Sequence, residues 1–128
     1  MNLKLYKKQW CNKTEDPLTS ASRIFFSIWI NEAIIDEQKI FYNIHALKLR
    51  QLKGYAITSR DFAERFRKQF KPFMQQWPNV SVHFGPLTLM QGYVNATHEN
   101  MEQEITTLAS NFFTIDDLID NTLVKFKT

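Results

Sequence analysis

Arg23-Ile24-Phe25-Phe26-Ser27-Ile28-Trp29-Ile30 is the stretch that decides the fold. Ile24, Phe26, Ile28 and Ile30 fall on one side of an extended chain and Phe25, Ser27 and Trp29 on the other, in β-branched and aromatic residues that suit a pleated surface. After the polar break Asp36-Glu37-Gln38 a second such run begins at Lys39 and ends at Leu49. It sets Ile40, Tyr42, Ile44 and Ala46 opposite Phe41, Asn43, His45, Leu47 and Leu49. The two runs predict an antiparallel hairpin.

On the N-terminal side, Leu3 to Trp10 alternates imperfectly and reads as a further strand, with Leu3 and Leu5 facing away from Lys4 and Tyr6. Residues 11–22 collect turn formers and a proline, and read as a loop. On the other side, Thr58-Ser59-Arg60-Asp61 supplies a helix start, since the Thr58 hydroxyl can accept from an orphan backbone N–H. Phe62, Phe66, Phe70, Phe73 and Trp77, with Ala63 and Met74, then recur at helical spacing. Pro72 predicts a kink over Lys68 to Pro72, and Pro78-Asn79 the end of the segment.

Val80, Val82 and Phe84 alternate with Ser81 and His83 as far as Gly85-Pro86, and Leu87 to Val94 resumes in extended form, predicting a second hairpin. Met101, Ile105, Leu108 and Phe112 share a helical face after a Thr97 cap. Thr114-Ile115-Asp116-Asp117 reads as a fresh helix start, with Ile115, Leu118, Ile119, Leu123 and Phe126 as its apolar face. The expected architecture is α+β: a mainly antiparallel sheet of about four to five strands, with one long central helix and two short C-terminal helices packed on one face.

Composition bounds the function. A chain of 128 residues with 44% apolar content and 11 Phe is expected to form one domain spanning 1–128, with a core large enough to need no disulfide. No apolar run reaches the roughly 18 residues of a membrane span, and charges interrupt the N-terminal segment where a signal peptide would be apolar. The expectation is a cytoplasmic protein that does not engage a membrane. Cys11 is the single cysteine and belongs to no metal or redox motif, so it reads as a bystander thiol. The three Asn-x-Ser/Thr matches, at Asn12, Asn79 and Asn95, have no meaning in that compartment. Glycines stand only at 54, 85 and 92, too few for a phosphate-cradling loop.

His45, His83 and His98 lie on different predicted elements, the first two on outward strand faces and the third with Glu102 at a helix start. None has metal-ligand or general-base spacing. No catalytic residue, metal ligand or cofactor site is expected, and the reading leans away from an enzyme. Charge is the informative feature. Residues 1–85 hold 14 Lys and Arg against 7 Asp and Glu, and residues 86–128 hold 2 against 6. The basic half includes a stripe of Lys48, Arg50, Lys53, Arg60, Arg67, Lys68 and Lys71, and the acidic half a cluster of Asp116, Asp117 and Asp120 at a helix start that suits its dipole.

These ten residues are the candidate partner-binding positions. They favour a non-catalytic protein-binding domain, of the kind found in small inhibitors, antitoxins and immunity proteins, with another protein as partner. The alternatives are a nucleic-acid-binding domain using the stripe from Lys48 to Lys71, and an enzyme whose site assembles only in the fold.

Overall fold

The computed structural model describes residues 2–12, 15–30 and 39–128, and the polar break at Asp36 to Gln38 lies outside them. Its elements are β1 (Asn2–Leu5), β2 (Arg23–Trp29), β3 (Lys39–Leu47), α1 (Ser59–Phe70), β4 (Thr88–Asn95) and α2 (Met101–Val124). The four strands form one antiparallel sheet in the order β1-β2-β3-β4. The predicted hairpin is present, with Phe26 opposite Ile44 and Ile28 opposite Tyr42.

One side of the sheet is the core side. Ile24, Phe26, Ile28, Ile40, Tyr42, Ile44 and Ala46 are buried there together with Phe62, Phe66 and Phe70 of α1 and Leu108, Phe112, Ile115 and Ile119 of α2, in a continuous cluster. Phe26 is the meeting point. Its ring stacks on Phe112 with centroids 4.5 Å apart, and meets the edge of Trp77 at 5.8 Å. Trp77 in turn contacts Tyr42 at 5.2 Å and Phe70 at 6.4 Å.

α1 begins where the sequence indicates, with the Thr58 hydroxyl accepting from the Asp61 N–H at 3.4 Å. Its α-helical part is shorter than the apolar periodicity. At Pro72, which cannot supply an N–H, the chain tightens into a 3-10 segment over Lys71–Gln76 that carries Trp77 into the core. The longest helix is therefore at the C-terminal end.

Four expectations are corrected. The two short C-terminal helices are a single 24-residue α2. Thr114, read as a cap, donates its hydroxyl to the Asn111 carbonyl at 2.6 Å within the same helix, and the apolar positions 101, 105, 108, 112, 115, 119 and 123 run on without a break. The true cap residue is Asn100, whose side-chain oxygen accepts from the Thr97 N–H at 2.6 Å, so His98 precedes the helix. The second hairpin is reduced to one bridge, Ser81 with Gln91. There Asn79 sits at φ 53° and turns the chain, and residues 84–88 are drawn towards α1 by Arg67. The strand expected over Leu3 to Trp10 stops at Leu5 and gives way to a 3-10 turn at Lys8–Trp10. Among the described residues no helix is long and apolar enough to cross a membrane.

Gly92 is required by close approach. A β-carbon there would run into the Tyr42 hydroxyl and lie 3.0 Å from the Asn79 carbonyl oxygen. That hydroxyl is fixed by donating to the Pro78 carbonyl at 2.7 Å, and burial pushes the phenol's pKa above its ordinary value. Gly92→Ala is expected to destabilise the protein by about 1–3 kcal/mol through overpacking. Urea denaturation would show this as a lower midpoint at unchanged slope.

Candidate binding face

The side of the sheet turned away from both helices follows from strand alternation. Asn2, Trp29, Phe41 and Tyr93 form one row across the four strands, and Lys4, Ser27, Asn43 and Gln91 form the next. Phe25, His45 and Thr88 form a third, and Arg23 and Leu47 a fourth. Among the described residues no strand contains an Asp or Glu, and the charged strand residues on this face are Lys4, Arg23 and Lys39.

The rings are backed by a rigid sheet and framed by these cations. Trp29 is 41% exposed, whereas Phe25 is only 6% exposed. Lys4 Nζ lies 5.1 Å and the Arg23 guanidinium 5.4 Å from the Phe25 ring centre, and Lys39 Nζ lies 4.8 Å from that of Tyr93. Between the aromatic rows the Trp29 indole N–H donates to the Ser27 hydroxyl at 2.8 Å, which donates to Asn43 Oδ1 at 2.6 Å. This polar chain fixes the Trp29 ring.

His45 is half-buried beside Phe25, 5.4 Å between ring centres. Burial lowers its pKa from the ordinary 6.5; a hydrogen bond to the Leu87 carbonyl opposes this, and the charges of Lys4 and Arg23 reinforce it. The unfolded chain takes up a proton near pH 6.5 that the folded protein resists, so stability is expected to fall as pH drops below that value. Proton NMR should find the His45 ring titrating below the ordinary value of 6.5.

The candidates from the sequence fall into separate places. Lys48 precedes the short turn Leu49–Gln51 after β3 and Arg50 lies within it, and both line a slot there with Arg23. Lys53 is exposed just beyond, its N–H donating to Asn12 Oδ1 at 2.8 Å. Arg60, Lys68 and Lys71 are exposed on or just after α1. Arg67 is committed to the fold. Its Nε donates to the Leu89 carbonyl at 3.1 Å, and its Nη2 reaches those of Phe84 and Gly85 at 3.0 Å and Thr88 at 2.9 Å. Lys68 borders an open groove of about 1060 Å³ whose walls also carry Asp61 and Glu64, so that groove favours neither sign of charge.

The acidic cluster is likewise engaged within the chain, and it lies in the second half of α2, not at a helix start. Lys7 Nζ lies 2.5 Å from Asp120, 3.6 Å from Asp116 and 3.7 Å from Asp117. Asp120 also accepts from the indole N–H of buried Trp10 at 2.7 Å. Burial works against the Lys7 charge, but the hydrogen bond to Asp120 and the three carboxylates outweigh it and raise the pKa. The attraction lasts until pH rises above the usual lysine value of 10.5.

His83 and His98 are exposed, and His83 lies on no strand. Cys11 is buried at 5% exposure, its thiol against the Lys8 and Asn12 carbonyls, and burial with Glu15 and Asp16 nearby raises its pKa. That disfavours the thiolate, the reactive form. Sequence reasoning missed the sheet face, although the absence of carboxylates from residues 39–57 and 80–98 was visible in the sequence.

Asp120→Ala should cost about 1–3 kcal/mol, because it leaves the Trp10 N–H buried without an acceptor. Asp117→Ala, with its side chain 84% exposed, should change stability by no more than about 0.5 kcal/mol. Paired denaturation curves for the two variants would test that contrast.

Comparison with models of known protein families, with curated proteins and with solved structures finds no match to this chain.

Proposed function

We propose that this protein is a non-catalytic binding module that engages an acidic protein partner through the outer sheet face, a type of job done by small inhibitors, antitoxins and immunity proteins. One observation carries the reading: among the described residues the face combines Trp29, Phe41 and Tyr93 with Lys4, Arg23 and Lys39, and its four strands contain no carboxylate. Rigid aromatic anchors supply contact area at little entropic cost, and the one-signed charge steers an acidic surface towards them. Face-to-face pairing with a second copy would set like charges against each other.

The nucleic-acid alternative is less well supported. Base stacking needs several open rings along a backbone-tracking groove, yet Phe25 is buried and Tyr93 already carries the Lys39 ammonium at 4.8 Å, which leaves Trp29 as the most exposed ring of the face. The stripe from Lys48 to Lys71 also loses Arg67 to the fold.

Affinity purification from the source cell should recover a partner that is lost with Trp29→Ala and weakened by Lys4→Glu with Lys39→Glu. Trp29→Ala should cost about 2 kcal/mol of binding or more if the ring is an anchor. Reversing exposed Arg60 and Lys68 should leave binding within about 0.5 kcal/mol, as for a solvated surface. Retention of the partner by all sheet-face variants would move the interface elsewhere. Tight oligonucleotide binding with a steep salt dependence would replace the protein reading.

A further inference from the structure

Where β2 begins and β3 ends, an open slot of about 470 Å³ lies at the end of the two inner strands. That volume falls in the range of roughly 300–1,000 Å³ typical of small-ligand sites. Leu47 and exposed Leu87 give it apolar walls over the fully buried Leu49, and Arg23, Lys48 and Arg50 supply its charge. Among the described residues no carboxylate lines it.

Two details indicate what it takes. Arg23 gives Nη1 to the Ser20 carbonyl at 2.6 Å, while its Nε is shielded from solvent and has no acceptor. A guanidinium with one edge unsatisfied suits a carboxylate, which accepts two parallel N–H bonds after a small turn of the side chain. Lys48 is held at φ 48° and ψ 47°, a left-handed conformation that a residue with a β-carbon rarely adopts. Such backbone outliers cluster at ligand sites.

We propose that the slot binds an aliphatic monocarboxylate, its chain against Leu47, Leu49 and Leu87 and its carboxylate between Arg23 and Arg50. Apolar walls with three cations and no anion select both halves of such a molecule: a hydrocarbon alone leaves the charges unused, and an inorganic anion leaves the leucines wet. The site lies at the end of the sheet and shares only Arg23 with the residues proposed to meet the protein partner; Lys48, Arg50 and the leucines are not among those.

The test is an NMR titration of the full chain with hexanoate, octanoate and decanoate, all below their micelle-forming concentrations. Saturable shifts are expected at residues 21–23, 47–51 and 87, with affinity rising about three- to fourfold per methylene until the slot is filled. Octylamine, matched in length but opposite in charge, should bind at least tenfold more weakly than octanoate. Inorganic phosphate should not reproduce the leucine shifts. Arg50→Ala, at an exposed position, should weaken octanoate about tenfold and leave the spectrum otherwise native. Equal binding of octanoate and octylamine, no dependence on chain length, or shifts spread over the surface would overturn the proposal. If Arg50→Ala perturbs the fold, Leu87→Glu at the exposed rim provides the second variant. Octanoate binding that survives it undiminished would likewise overturn the assignment.

Discussion

The stack of Phe26 on Phe112 is the contact on which the rest of the structure depends. It joins the middle of β2 to the middle of α2 at 4.5 Å, and Trp77 closes on the same ring from the end of the 3-10 segment. A strand residue, a helix residue and a loop residue from distant parts of the chain are thus fixed by one aromatic cluster. Such packing is worth more than its buried area alone because ring geometry restricts the alternatives. With the core face settled, strand alternation leaves no choice about the other face. Trp29, Phe41 and Tyr93 are presented outward because Ile28, Tyr42 and Val94 are held inward.

Much of this was legible in the sequence wherever one periodicity dominated. The period-two runs at 24–30 and 39–47 gave the central strand pair, and Phe62, Phe66 and Phe70 gave the buried side of α1. The failures came where a local signal competed with a longer one. Thr114 with Asp116 and Asp117 has the composition of a cap, yet the apolar stripe of α2 passes through it, and the helix continues because Leu108, Phe112, Ile115 and Ile119 all gain burial by doing so. At 80–84 the alternation is genuine, but a single guanidinium gathering four carbonyls diverts the following turn.

The candidate face was harder to read for a related reason. Charges were visible one by one, but which of them are already engaged is a tertiary fact. Arg67 looks like a surface cation in the sequence and is a structural clamp. Asp116 and Asp120 look like dipole-complementing residues at a helix start and serve Lys7 and Trp10 instead. Conversely, Lys4 and Lys39 attract no notice singly, and become a pattern only when the sheet sets them beside aromatic rings.

The link from Lys7 and Trp10 to Asp120 has a consequence for how the molecule comes into being. Its partners are separated by 113 and 110 residues of chain. During synthesis at roughly 5–20 residues per second, the N-terminal segment has to wait several seconds for its counter-charge to emerge. Until Asp120 emerges, the Trp10 indole N–H lacks the acceptor that the folded protein gives it, so this fastening is made only after most of α2 has been synthesised, later than the pairing of β1 with β2 can be.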